Sequence, residues 1–182
     1  MEAIITIVGF LGSGKTTLLK YLTNSYHSRA FQIQLNENEV DYLTTLKNKK
    51  FTSEFSRTRK KLLEKNNIKF ENLSENIDIF ISDLIKKKIY FLNERKISHS
   101  IDGNLITFYK NLKMLYPDKL ILSTLSINDE IIAANIGIIE NKIFYYLLPV
   151  VMSKKFKSFS PGKQLIYELI SWAKKNNLKI FD

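Results

Sequence analysis

The second half of the chain contains three apolar, strand-like runs separated by short polar turns. The runs cover residues 120–127, 131–139 and 143–151, and the turns are Asn128-Asp129 and Glu140-Asn141-Lys142. Successive strands joined by such tight turns pair with each other, so the pattern predicts an antiparallel meander. The fold must therefore place its core on a mainly antiparallel sheet.

Helical periodicity surrounds the meander. Apolar residues at helical spacing predict helices over residues 39–65, from Ser74 through about residue 89, over 105–116 and over 164–175. Ser74 is the predicted N-cap of the second helix, since a serine before an acidic residue and an apolar run is a helix start signal. Alternating residues 68–73 predict a short strand, and residues 178–181 predict a final one. The order indicates an α+β fold with helices packed on the sheet.

Composition limits the classes of function. The chain has 182 residues and a net charge of +10, so an anionic partner is favoured. A nucleotide, coenzyme A, an acidic lipid surface or tRNA would suit this charge, although no RNA-binding motif supports tRNA. No apolar run approaches the ~20 residues of a membrane span, and a cytoplasmic location is expected.

The first two dozen residues carry the sharpest local motif. An apolar run at residues 3–8 leads into the sequence GFLGSGKTTLL, which has the strand, loop and helix order of a phosphate-binding P-loop. Backbone N–H groups and the helix dipole would face the phosphates, and the Thr16 hydroxyl would ligate Mg²⁺. The predicted nucleotide-binding residues are Gly9, Gly12, Ser13, Gly14, Lys15, Thr16 and Thr17.

This longer string resembles the P-loop of the CobW/HypB/UreG metallochaperone GTPases, and the resemblance ends near Asn24. It implies GTP or ATP with Mg²⁺ as ligand. The family's other motifs do not follow: Asn141-Lys142-Ile143-Phe144 lacks the carboxylate that reads guanine, and the cysteine-rich metal motif is missing. We therefore divide the chain into a P-loop segment, residues 1–26, and a second domain, residues 27–182.

The second domain resembles the acyltransferases of the GNAT fold, and within them the CelD-like and FemAB-like types. The order of strand, two helices, meander, helix and strand is that of a GNAT core up to its fifth strand. The residues that carry the resemblance are Tyr42-Leu43, Phe108, Ala133-Ala134, Phe144-Tyr145-Tyr146, Phe159-Ser160-Pro161-Gly162, Leu165, Trp172-Ala173 and Phe181-Asp182.

The resemblance implies transfer of an acyl or aminoacyl group to the amine of a small molecule or peptide, with acyl-CoA as the expected donor. Pro161 suits a first helical turn and Gly162 allows close approach of an anion to a helix N-terminus, with lysines at 154, 155, 157 and 163 nearby. Pro149 is expected to interrupt the strand that pairs with the donor. The predicted donor-binding residues are Val150, Val151, Ser160, Gly162, Lys163 and Gln164.

The polar candidates for catalysis are Tyr145, Tyr146, Glu140 and Asp182. Tyr145 and Tyr146 must point to opposite faces of the sheet, so at most one can line a site. The family continues beyond its Phe-Asp pair, so the resemblance also implies an incomplete domain in which turnover is harder to retain than donor binding. Two alternatives stay open: a CobW-type nucleotide-binding protein, and a non-catalytic product of gene fusion or fragmentation.

Overall fold

The computed structural model describes residues 32–35, 49–73, 77–97 and 101–182. The P-loop, the 1–26 segment, Tyr42-Leu43 and the Ser74 cap lie outside these residues and stay predictions. The described elements are β1 Ile33–Gln34, α1 Lys49–Lys65, β2 Ile68–Leu73, α2 Ile77–Glu94, α3 Asn104–Leu115, β3 Leu120–Ile127, β4 Glu130–Glu140, β5 Ile143–Val151, a 3₁₀ turn Lys157–Phe159, α4 Pro161–Lys175 and β6 Ile180–Phe181.

The predicted meander is confirmed, and its two turns explain why it forms. Asn128 and Asp129 have φ of 48° and 66°, and Asn141 and Lys142 have φ of 51° and 62°. Two successive left-handed residues are the signature of a type I′ turn, whose twist matches that of the flanking strands. Local sequence therefore fixes the pairing of β3 with β4 and of β4 with β5.

The six strands form one sheet in the order β1-β6-β5-β4-β3-β2. All neighbours are antiparallel except β5 and β6, which are parallel and paired only at Ile143–Ile180 and Phe144–Phe181. The prediction of a mainly antiparallel sheet is confirmed. Hydrogen bonds from the Asp182 N–H to the Phe144 carbonyl and from the Tyr146 N–H to the Asp182 carbonyl extend this short pairing to Asp182.

Each face of the sheet carries its own hydrophobic cluster. On one face, α1 and α4 cover the sheet, and Leu62 and Leu169 pack with Leu125. On the other face, α2 and α3 pack through residues such as Ile81 against Leu122. Among the described helices, none is both long enough and apolar enough to cross a membrane. The predicted α+β architecture, with helices on a mainly antiparallel sheet, is therefore confirmed.

The prediction that Pro149 interrupts its strand is wrong. β5 continues through Pro149 to Val151, and the irregularity lies before it, where the register passes from Ile136–Leu148 to Gly137–Tyr146 and leaves Leu147 as the extra residue. Proline is tolerated because its position needs no donor, and its carbonyl accepts a 3.0 Å hydrogen bond from Lys88 Nζ.

The starts of α4 and β6 also differ from prediction, and α2 extends to Glu94 rather than to about residue 89. α4 begins at Pro161 rather than at Gln164, since proline's fixed φ suits the first helical turn. β6 spans Ile180–Phe181 rather than residues 178–181. Lys179 instead donates its backbone N–H to the carbonyl of the turn residue Lys142 at 2.7 Å. The shorter strand limits contact between β6 and β5.

Candidate functional site

A groove of about 580 Å³ opens at the N-terminus of α4. Its walls come from three parts of the chain that are distant in sequence: the end of α2, the end of β5 and the turn that enters α4. The residues that line it are Phe91, Glu94, Arg95, Val151, Ser153, Lys154, Lys157, Ser160, Pro161, Gly162 and Lys163. The fold thus brings the predicted Ser160-Pro161-Gly162 segment next to the C-terminal end of β5.

The backbone at the start of α4 leaves one donor free. Ser160 adopts φ 51° and ψ 61° and makes no side-chain cap, while its carbonyl accepts from the N–H groups of Lys163 at 2.9 Å and Gln164 at 3.2 Å. Pro161 has no N–H, and the Gly162 N–H has no acceptor in the described chain. A helix N-terminus with an unsatisfied N–H is a ready anion site.

Gly162 is not required by packing. A Cβ at this position would meet only Val151 Cγ2, at 3.9 Å, which is an ordinary contact. The residue also carries no positive φ. The absence of a side chain therefore leaves the Gly162 N–H open toward the groove.

Positive charge dominates the groove lining. Arg95, Lys154, Lys157 and Lys163 face a single carboxylate, Glu94. Lys154 Nζ binds Glu94 Oε1 at 2.5 Å, and this hydrogen bond lowers the pKa of Glu94 and raises that of Lys154. No carboxylate of the described chain pairs with the other three cations. The groove is thus suited to an anion with more than one negative charge.

A second, narrower groove of about 130 Å³ continues from the first along the outer edge of β5. Phe91, Arg95 and Val151 line both grooves, and Pro149 and Val150 extend the second toward the bulge at Leu147. Lys88 also lines this second groove, and burial lowers the pKa of its ammonium group. Together the two grooves form an elongated path from the start of α4 to residues 149–151 of β5.

The predicted donor-binding residues divide into two groups. Val151, Ser160, Gly162 and Lys163 line the first groove, and Val150 lines the second. Gln164 contributes nothing to either, since its Oε1 accepts from Arg59 Nη1 at 3.1 Å and its Nε2 donates to the Phe159 carbonyl at 3.3 Å. This fully buried amide instead connects α4 to α1 and to the preceding turn.

Three of the predicted catalytic residues, Tyr145, Tyr146 and Asp182, lie at the β5–β6 junction rather than in the grooves. The fourth, Glu140, ends β4, and its carboxylate forms an ion pair with Lys119. Asp182 N–H donates to the Phe144 carbonyl at 2.8 Å, and Tyr146 N–H donates to the Asp182 carbonyl at 2.7 Å. The Tyr146 ring packs against Phe181, with centroids 5.7 Å apart, and joins the core under α4. Tyr145 lies one residue earlier on β5 and faces the opposite side.

The environment perturbs two of these groups. Burial raises the pKa of the Asp182 carboxyl, and a hydrogen bond from Gln32 partly offsets this rise. Asp182 Oδ2 is buried and has no hydrogen-bond partner among the described residues. Burial also raises the pKa of the Tyr146 hydroxyl. A carboxylate with a raised pKa is a better proton acceptor than an exposed one. Asp182 is therefore the more reactive of the two as a base.

Sequence reasoning missed the contribution of α2 to the site. Lys88, Phe91 and Arg95 are spaced by three and four residues, so they share one face of that helix. This stripe was a usable signal, but an aromatic and basic face is also typical of a solvated helix. No group of three or more potential ligands in the described residues could hold a metal ion, and the predicted magnesium ligand Thr16 lies outside them.

Two solved structures match this chain at low similarity. One is a C-terminal DUF2156 domain assigned to a lysylphosphatidylglycerol synthetase from Agrobacterium fabrum, with 12% identity, TM-score 0.46 and coverage of 83% of this chain and 46% of that one. The other is a conserved protein of unknown function from Bacteroides thetaiotaomicron, with 14% identity, TM-score 0.48 and coverage of 91% and 55%. The chain thus spans about half the length of each.

Two sequence families match different parts of the chain. No curated protein matches it. The CobW/HypB/UreG nucleotide-binding domain family matches residues 3–57, a minority of the chain. The acetyltransferase (GNAT) domain family matches residues 49–182, which include all described elements except β1. On this match the chain belongs to the acetyltransferase (GNAT) domain family.

Proposed function

We propose that residues 27–182 form an acyltransferase domain of the CelD-like or FemAB-like type, which takes acyl-CoA as donor and an amine as acceptor. The observation that carries the proposal is the cationic groove at the free Gly162 N–H, together with its extension along β5. Family membership supports an acyltransferase-type function. The subtype, the donor and the acceptor are part of the proposal.

The residues of the groove fit the parts of such a donor. Gly162 N–H, Arg95, Lys157 and Lys163 would bind the pyrophosphate, because they supply one main-chain donor and three cations that pair with no carboxylate of the described residues. The second groove would hold the pantetheine arm beside Pro149 and Val150. This path would place the acyl group near the bulge at Leu147, where the regular β4–β5 pairing is broken.

Transfer itself needs a proton acceptor for the attacking amine. The amine nitrogen forms a bond to the acyl carbon, the bond from that carbon to sulfur breaks, and the amine proton leaves as the thiolate departs. We assign the proton-accepting role to Asp182, whose carboxyl lies at the β5–β6 junction and has a raised pKa. We assign to the Tyr146 hydroxyl the role of proton donor to the departing thiolate.

Calorimetric titration with coenzyme A tests the donor site. Gly162→Asp should weaken binding at least about tenfold, because it places a carboxylate at the anion site. Gly103→Asp is the control: Gly103 is likewise a glycine at a helix start, the N-cap of α3, and a Cβ there meets nothing within 4 Å. Equal affinity of the Gly162→Asp variant and the wild-type protein would contradict the proposal.

Nucleotide binding by the P-loop is a second candidate function, favoured by the CobW/HypB/UreG match over residues 3–57. GTP and ATP should be titrated separately in the presence of Mg²⁺. Lys15→Ala should abolish binding, whereas the control Lys20→Ala, just beyond the motif, should have little effect. Nucleotide affinity that survives Lys15→Ala would exclude this function.

A further inference from the structure

Lys88 contributes a primary amine to the wall of the second groove. The side chain is half-buried, and its Nζ donates a 3.0 Å hydrogen bond to the Pro149 carbonyl on β5. The groove has about 130 Å³ of open space, so a ligand that enters it has room beside this side chain. Lys88 is therefore a nucleophilic group on the proposed path of the pantetheine arm.

The surroundings of Lys88 disfavour its charged form. Apart from Arg95, every other residue that lines the second groove is apolar, from Phe91 on α2 to Val150 on β5. No carboxylate of the described residues forms an ion pair with Lys88. Burial and, to a smaller extent, the Arg95 guanidinium lower the pKa of the Lys88 ammonium group. Desolvation and a neighbouring cation activate a lysine as a nucleophile, because both favour the neutral amine.

The neighbouring Lys87 offers a comparison on the same helix. Its Nζ also donates to a main-chain carbonyl, that of Met152, at 2.9 Å. Successive helical residues do not share a face, however, and Lys87 is exposed and lines neither groove. The two lysines thus share a helix and a hydrogen bond to the chain near the end of β5, and they differ in contact with the groove.

The proposed donor path brings a thioester close to Lys88. Pro149, whose carbonyl binds the Lys88 amine, lies two residues beyond the bulge at Leu147, near which the acyl group of the donor is proposed to lie. A neutral amine keeps N–H donors for the Pro149 carbonyl and has a lone pair for attack on an acyl carbon. The hydrogen bond therefore holds the amine beside the path without occupying its lone pair.

We propose that Lys88 is itself an acyl acceptor, whose ε-amine takes the acyl group from a thioester bound in the second groove. The inference rests on the proposed transferase function. Lys88 Nζ forms a bond to the acyl carbon, the bond from that carbon to sulfur breaks, and the proton released by nitrogen passes to the departing thiolate. The products are an amide on Lys88 and the free thiol of coenzyme A. Because an amide is stable, each chain takes up a single acyl group at this position.

Peptide mass spectrometry of the full-length protein after incubation with acetyl-CoA provides the first test. Lys88 should be acetylated at least about tenfold faster than Lys87, because it combines a desolvated amine with a bound donor. In protein unfolded by urea the two lysines should react at the same rate, since the groove is lost. Equal acetylation of Lys87 and Lys88 in the folded protein would overturn the proposal.

The mass of the intact protein provides the second test. Lys88→Arg retains a cation with N–H donors for the Pro149 carbonyl but lacks the amine that forms this amide. It should take up one acetyl group fewer than the wild-type protein, whereas the matched control Lys87→Arg should retain that group. Equal uptake by Lys88→Arg and wild type would contradict the proposal.

A truncated donor, S-acetyl-N-acetylcysteamine, carries the thioester without the phosphates and separates the two proposals. Gly162→Asp should slow acetylation of Lys88 by acetyl-CoA about tenfold, and far more than acetylation by the truncated donor. If coenzyme A fails to bind in the calorimetric titration while the truncated donor modifies Lys88 in preference to Lys87, the donor site fails and Lys88 stands as an acyl acceptor. If coenzyme A binds and neither thioester prefers Lys88, only the inference about Lys88 fails.

Discussion

Gly137 lies on β4 opposite Tyr146 and Gly162 lies in the first turn of α4, and packing requires a glycine only at the first of these positions. A Cβ on Gly137 would stand 2.4 Å from Phe144 Cζ and 2.9 Å from the Tyr145 carbonyl oxygen. A Cβ on Gly162 would touch only Val151, at 3.9 Å. The first glycine is fixed by contacts inside the protein. The second has no internal reason to be glycine, so any requirement must come from a ligand.

The largest effect should follow from Gly137→Ala. The added methyl group must displace the Phe144 ring or the β5 backbone, which we expect to cost about 3 kcal/mol of unfolding free energy. Urea denaturation measures the loss, and Gly103→Ala serves as a control with open space around its Cβ. Adding Phe144→Leu should recover part of the loss. A Gly137→Ala protein as stable as wild type would remove the contrast between the two glycines.

A smaller and different effect is expected for Gly162→Ala. Stability should change by less than about 0.5 kcal/mol, since no clash arises and alanine is a good helix former. Coenzyme A affinity should nevertheless fall, although by less than in Gly162→Asp, because the methyl group narrows the approach to the free N–H. Denaturation and titration of one preparation would show the two properties separately. Loss of stability without loss of affinity would make Gly162 a structural glycine like Gly137.

The cations of the groove should each contribute a moderate share of donor affinity. Lys157→Ala and Lys163→Ala are expected to weaken coenzyme A binding about three- to tenfold and to reduce its salt dependence. Lys61→Ala, an exposed substitution on α1 outside the groove, is the control. Binding that is independent of salt and of both lysines would show that the positive groove is an ordinary solvated surface.

The smallest effect concerns the pH dependence of stability at the β5–β6 junction. The folded-state pKa of Asp182 is raised by burial, so the folded protein holds this proton more tightly than the unfolded chain. The contribution of the protonated Asp182 carboxyl to the free energy of unfolding should therefore decrease as pH rises from about 4 through the folded-state pKa. Asp182→Asn should flatten the pH dependence of the unfolding midpoint in that range. An unchanged profile would argue against a perturbed carboxyl and against its role as base.

Several features of the fold were readable because their causes are local. The Asn128-Asp129 and Asn141-Lys142 turns fix the meander, since left-handed residues at two-residue turns select antiparallel pairing. Alternation along β5 separates Tyr145 from Tyr146, as predicted, and Pro161 marks the start of a helix. Each of these inferences depends on a few neighbouring residues and on strand or helix geometry alone.

The sequence by itself thus determined the α+β architecture and the family, and it drew attention to Ser160, Gly162 and Lys163. Only the tertiary structure decided which residues share a site. The bulge at Leu147, the closing of the grooves by α2 and the inward turn of Gln164 depend on contacts between distant segments. The pairing of Asn72 with Ser123 and of Ser123 with Asn135 likewise depends on strand register, because periodicity assigns a residue to a face but cannot name its neighbours across the sheet.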